Sequence, residues 1–108
     1  MPYPKYRPDF SSGISIGDYE VRTLTSNTTL NEDDDLVLLN ASGGNFTVTL
    51  PSPSTSRSKR FFLKLVSASG SVVINPGSAD IDGASSYTLS TQYDGISIMT
   101  NGNNWFIF

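Results

Sequence analysis

From Asp18 onward, no stretch of this sequence repeats apolar residues at i, i+3, i+4 and i+7. Its apolar residues come in short runs broken by Gly, Pro, Asn and Ser clusters. That pattern leaves no room for a helix longer than one turn and points to an all-β fold. The runs predict strands over residues 19–24, 36–40, 46–50, 61–66, 71–74, 86–89, 96–100 and 105–108. The separators carry turn chemistry. Gly43-Gly44-Asn45 and Asn101-Gly102-Asn103 supply positive φ, Pro51-Ser52-Pro53 stops a strand, and Asp82-Gly83 suits a two-residue hairpin loop. Each neighbouring pair can then be a hairpin or meander, so a small antiparallel sandwich or prism-like domain is expected, with residues 51–58 as a surface loop. No internal repeat is detectable.

A chain of 108 residues supports one core. Only 16% of it is charged, and the polar remainder is dominated by Ser, Thr, Asn and Gly, which favours strands and turns over helices. The net charge of −3 argues against a nucleic-acid partner, which needs a basic face, and against an anionic membrane surface. There is no cysteine, so neither disulfides nor thiolate metal sites hold the fold. No apolar run approaches the roughly 20 residues of a membrane span, and no export signal is expected. The Asn-x-Ser/Thr triplets at Asn27, Asn40 and Asn45 are therefore read as products of composition rather than glycan sites.

The first eight residues contain three prolines, which rule out a helix or a central strand there. Residues 1–17 are expected to be an extended arm and residues 18–108 the all-β domain. The arm carries Tyr3, Lys5, Tyr6, Arg7 and Phe10, which suit attachment to a larger particle: aromatic rings gain by burial, and proline lowers the ordering cost of an extended peptide.

Little in the chain suits catalysis. His and Cys are both absent, which removes the commonest general base, the commonest metal ligand and the Ser-His and Cys-His dyads. The run Glu32-Asp33-Asp34-Asp35 reads as a solvated turn before a strand. Asp80-Ile81-Asp82-Gly83 lacks the later ligands of a calcium loop and fits a hairpin turn. No catalytic, cofactor-binding or metal-ligating residue is assigned, and no enzymatic activity is expected. Arg57, Lys59 and Arg60 read as solubilising charges flanking an apolar strand, with contact to an acidic partner surface as the alternative. Tyr87, Tyr93 and Trp105, with Gln92, Asn101, Asn103 and Asn104 nearby, keep open a stacking platform for a host surface glycan.

A strand with one buried face needs only every second residue apolar. Residues 46–50 obey this, but 36–39, 61–66 and 105–108 are apolar on both faces. Leu36, Leu38, Phe61, Phe62, Leu63, Val66, Trp105, Phe106 and Phe108 are thus expected to supply both a subunit core and a subunit interface, because these strands exceed what one small domain normally buries; the alternative is that loops and the N-terminal arm cover these faces.

Residues 34–108 resemble a module recurring in tailed-phage fibre, tail-tip and head-decoration proteins. The likeness rests on Asp35-Leu36-Val37-Leu38-Leu39-Asn40, Gly44-Asn45-Phe46-Thr47-Val48-Thr49-Leu50-Pro51, Phe62-Leu63-Lys64 and Val72-Val73-Ile74-Asn75-Pro76. It continues through Asp80-Ile81-Asp82-Gly83, Tyr87-Thr88-Leu89, Tyr93-Asp94-Gly95-Ile96-Ser97-Ile98 and Trp105-Phe106-Ile107. The resemblance implies an all-β homotrimer at the surface of a virion. With no coiled-coil, collagen-like or β-helical shaft between arm and module, it points to a capsid decoration protein or short head fibre, held on the major capsid protein or another virion protein by the arm. The alternative is a tail-fibre or tail-tip module that binds host glycan.

Overall fold

The computed structural model describes residues 21–56 and 59–108. The expected arm, with Tyr3, Lys5, Tyr6, Arg7 and Phe10, lies outside the described residues, as does Arg57. The described chain is all-β, with nine strands: β1 Val21–Leu24, β2 Thr28–Thr29, β3 Leu36–Asn40, β4 Phe46–Thr49, β5 Arg60–Ser67, β6 Val72–Asn75, β7 Tyr87–Leu89, β8 Gly95–Thr100 and β9 Trp105–Ile107. A single 3-10 turn, Pro53–Thr55, starts on a proline, as the fixed φ of that residue favours.

The strands are placed much as the apolar runs predict, but their pairing is not. Two mixed sheets form, one in the order β1-β3-β5-β8-β9 and the other β2-β4-β6-β7. Strands β1, β3 and β5 are parallel, and so are β2, β4 and β6. The expected antiparallel hairpins and meanders therefore fail for β1 to β6, whereas β6–β7 and β8–β9 are antiparallel neighbours as expected. The chain crosses from one sheet to the other at each corner and returns to lie beside the strand it left, so β1–β2, β3–β4 and β5–β6 are three successive parallel turns. The domain itself is wound in a way the sequence reading considered only for a shaft. The antiparallel strands β7, β8 and β9 then close the end at which β5 and β6 lie.

Side-chain amides hold the corners. Asn27, just before β2, accepts the Thr47 N–H of the next turn at 2.8 Å through Oδ1. Asn45, just before β4, accepts the Ser71 N–H of the turn after that, also at 2.8 Å. Asn40 accepts the N–H of Ser42 and Asn75 that of Gly77, each a local Asx turn. All three residues flagged as glycan acceptors thus serve as corner acceptors. Positive φ appears at Gly44 and Gly102, as the turn reading requires. Asp82 and Gly83 form the expected two-residue turn, with reciprocal 2.8 Å bonds between Ile81 and Ala84.

Alternation decides which residues enter the core. In the larger sheet Val37, Leu39, Phe61, Leu63, Leu65, Ile98 and Trp105 point inward; in the smaller, Val48, Val72, Ile74 and Leu89 do. All belong to one buried cluster.

Candidate functional site

The outer face of the five-stranded sheet is the part of the described surface that side-chain chemistry sets apart. Register places Val21, Leu36, Phe62 and Ser97 in one row across β1, β3, β5 and β8, and Thr23, Leu38, Lys64 and Gly95 in the next. The Phe108 N–H bonds the Ser97 carbonyl at 2.8 Å, which carries the first row on to Phe108. A third row runs Arg60, Met99, Phe106. Because Gly95 has no side chain and Ser97 a short one, the rows enclose an apolar groove of about 310 Å³ walled by Leu36, Leu38, Phe62 and Lys64. Phe106 is 37% exposed and Phe108 75%.

The residues expected to form core and interface are therefore divided by strand parity. Phe61, Leu63 and Trp105 lie in the core, whereas Leu36, Leu38, Phe62 and Val66 lie half-buried on the outer face, which also carries the exposed Phe106 and Phe108. The Arg60 guanidinium sits 5.8 Å from the centre of the Phe62 ring, and its Nε lies 3.4 Å from the Met99 sulfur, so this cation covers part of the apolar face.

Two sequence readings of charge are corrected. Glu32 and Asp33 are exposed, but Asp34 (3% exposed) and Asp35 are buried, so the acidic run is only half a solvated turn. Arg22 Nη1 donates to both Asp34 oxygens at 3.2 and 3.3 Å, and the Asn31 N–H donates to Asp34 at 3.0 Å. Lys59 pairs with Asp35 and lies 5.5 Å from the centre of the Phe61 ring, so it is a structural partner rather than a free solubilising charge. Asp34 ties its return loop back to β1, and Asp35 ties the same loop forward to the residue before β5. Adjacent acids in the sequence thus fasten three successive turns. No set of three or more His, Cys, Asp or Glu that could hold a metal occurs among the described residues.

The glycan platform loses its centre. Trp105 is 0% exposed, with its ring 5.9 Å from that of Phe61, and Tyr87 lies on the other sheet. Tyr93 remains: it is 62% exposed and has φ +72°, a conformation costly for a bulky L residue. Its N–H bonds the Leu65 carbonyl at 2.6 Å while the Asp94 carbonyl accepts from Leu65, so Tyr93 and Asp94 together face one residue in a bulge leading into β8. Relief of left-handed strain, about 1–2 kcal/mol, outweighs the added freedom of an unfolded glycine, about 0.4–1 kcal/mol. Tyr93→Gly should therefore raise stability by roughly 0.5–1 kcal/mol in urea melts. A Tyr93→Gly protein no more stable than Tyr93→Ala would show that the strain is absent.

Comparison of the sequence with protein-family models finds no match, and comparison with curated proteins finds none either.

Proposed function

We propose that this chain is a non-enzymatic virion structural protein, a capsid decoration protein or short head fibre of a phage-type particle, working as a homotrimer anchored through residues 1–17. The observation that carries this reading is the apolar outer face of the five-stranded sheet, with its open groove and its exposed Phe106 and Phe108. A face of that kind on a small β domain serves burial against a partner rather than turnover of a substrate. The resemblance of residues 34–108 to phage modules supplies the setting. Tyr3, Tyr6 and Phe10, with Lys5 and Arg7, supply an arm suited to a groove on the major capsid protein.

Deleting residues 1–13 tests the anchor. The truncated protein should keep its oligomeric mass in sedimentation but no longer co-purify with particles. Full particle occupancy without the arm would remove it as the anchor. The second reading, a tail-fibre module that binds host surface glycan, is favoured by Tyr93, an exposed aromatic held in a costly conformation. Binding of the isolated protein to host cells, with no binding to capsids, would select it.

A further inference from the structure

We infer that the occupant of the groove around Gly95 is a second copy of this chain, which inserts Phe108. The inference rests on the homo-oligomeric reading above and names the contact within it.

A projecting ring and an apolar hollow occur on the same sheet face. Phe108 stands at the β9 edge in the row of Ser97, 75% exposed, so it does not fill the adjacent hollow of its own chain. The hollow measures about 310 Å³. An apolar cavity of about 150 Å³ accepts a benzene ring, so there is room for one phenyl group from outside with space for its neighbour Phe106 to approach.

Charge is complementary in the same sense. Lys64 rims the hollow and has no ion-pair partner among the described residues. Asp82 lies along the outer edge of β9, which residues 80–82 cover: its N–H bonds the Trp105 carbonyl and its Oδ1 accepts the Ile107 N–H at 3.2 Å. Docking the margin that carries Phe108 and Asp82 onto the hollow of another copy brings an acid towards a lysine that lacks one.

Area sets the scale of the assembly. Five strands about 4.8 Å apart and five residues long present a face on the order of 400 Å², the size of a functional patch on a monomer. That is about half the roughly 800 Å² per partner of a standard interface. A bare pair of faces is therefore weak, whereas three faces around one axis let each copy be held by two neighbours.

The test is sedimentation equilibrium of the full-length protein over a range of micromolar concentrations. It compares Phe108→Ala, Ser97→Glu and, on the opposite sheet, Tyr87→Ala, with circular dichroism to confirm that each variant is folded. Phe108 and Ser97 both point away from the core, so both variants should fold. Loss of a buried aromatic anchor, or an acid placed in the hollow, should weaken association at least 30-fold, while Tyr87→Ala leaves it unchanged. A monomeric wild type, or an oligomer that survives either Phe108→Ala or Ser97→Glu, would overturn the assignment. Particle binding is scored separately. An oligomer that ignores Phe108 but still decorates particles refutes this contact alone, whereas one that needs Phe108 but binds no particle refutes the virion reading alone.

Discussion

Replacing Trp105 with alanine is expected to lower the stability of the fold by about 4 kcal/mol, the range for deleting a fully buried aromatic side chain. Trp105 is fully enclosed and packs on Phe61. Its backbone also joins the closing strands to the middle of the connection 76–86 between β6 and β7: its N–H bonds Asp80 O at 2.8 Å, and its carbonyl accepts the Asp82 N–H at 3.0 Å. A small domain has only about 5–15 kcal/mol of total stability, so this variant should lose between about a quarter and four fifths of it. Trp105→Phe should cost much less, about 1–2 kcal/mol. It keeps a ring in the site and removes an indole N–H that is buried without an acceptor among the described residues. Urea melts followed by far-UV circular dichroism at one chain concentration separate the two variants. Equal losses for Ala and Phe would mean that neither the ring nor the lone N–H matters as argued.

The second large effect is expected at Gly70. A Cβ there would lie 2.5 Å from the Gly44 carbonyl carbon and 2.7 Å from both the backbone nitrogen and Oδ1 of Asn45. The obstacle is mainly backbone, so it cannot rotate away, and relieving it pushes apart two successive turns at the place where Asn45 holds Ser71. Gly70→Ala should cost about 2–3 kcal/mol, the usual price of overpacking with a bond lost besides. The midpoint of thermal unfolding should fall by roughly 10–20 °C. Gly43→Ala is the control, since nothing lies within 4 Å of its added carbon. If the two alanine variants melt together, the close approach of the corners is not a constraint on stability.

Strand positions were legible because period-2 alternation and turn residues are local signals. Residues 36–40 form a strand over the expected span, and residues 46–49 bury Phe46 and Val48 as alternation demands. Partnership is not local, and the same apolar runs serve a hairpin or a parallel turn equally well. The winding leaves no regular period in the sequence because its spacing is uneven: Val21, Leu36 and Phe62 are register partners in one sheet, Thr28, Val48 and Ile74 in the other. Strand β2 is Thr28–Thr29, too short to show any period. The buried roles of Asp34 and Asp35 are not legible in sequence, because a charge run gives no sign of partners that arrive from β1 and from the residue before β5. On the outer face, parity alone could have separated Phe61 and Leu63 from Phe62. The groove could not be foreseen, since it needs the register that sets Gly95 beside Lys64.

Uneven spacing between turns also bears on how such a chain can change over time. The corners that cross between sheets at residues 25–27, 41–45 and 68–71 are short and pinned by asparagine or by close backbone approach, while the returns at 30–35 and 50–59 differ in length although the strands they join to the next turn stay parallel. Away from Leu30, Asp34, Asp35, Leu50 and Lys59, which the core and the two ion pairs hold, insertions and deletions can accumulate in the returns at little energetic cost, because closing a longer loop adds only about 0.6 kcal/mol per doubling. Selection then acts on a few side chains at the corners and on the parity of the strands. Two descendants of one ancestor could share every turn of this winding and still drift out of alignment residue by residue.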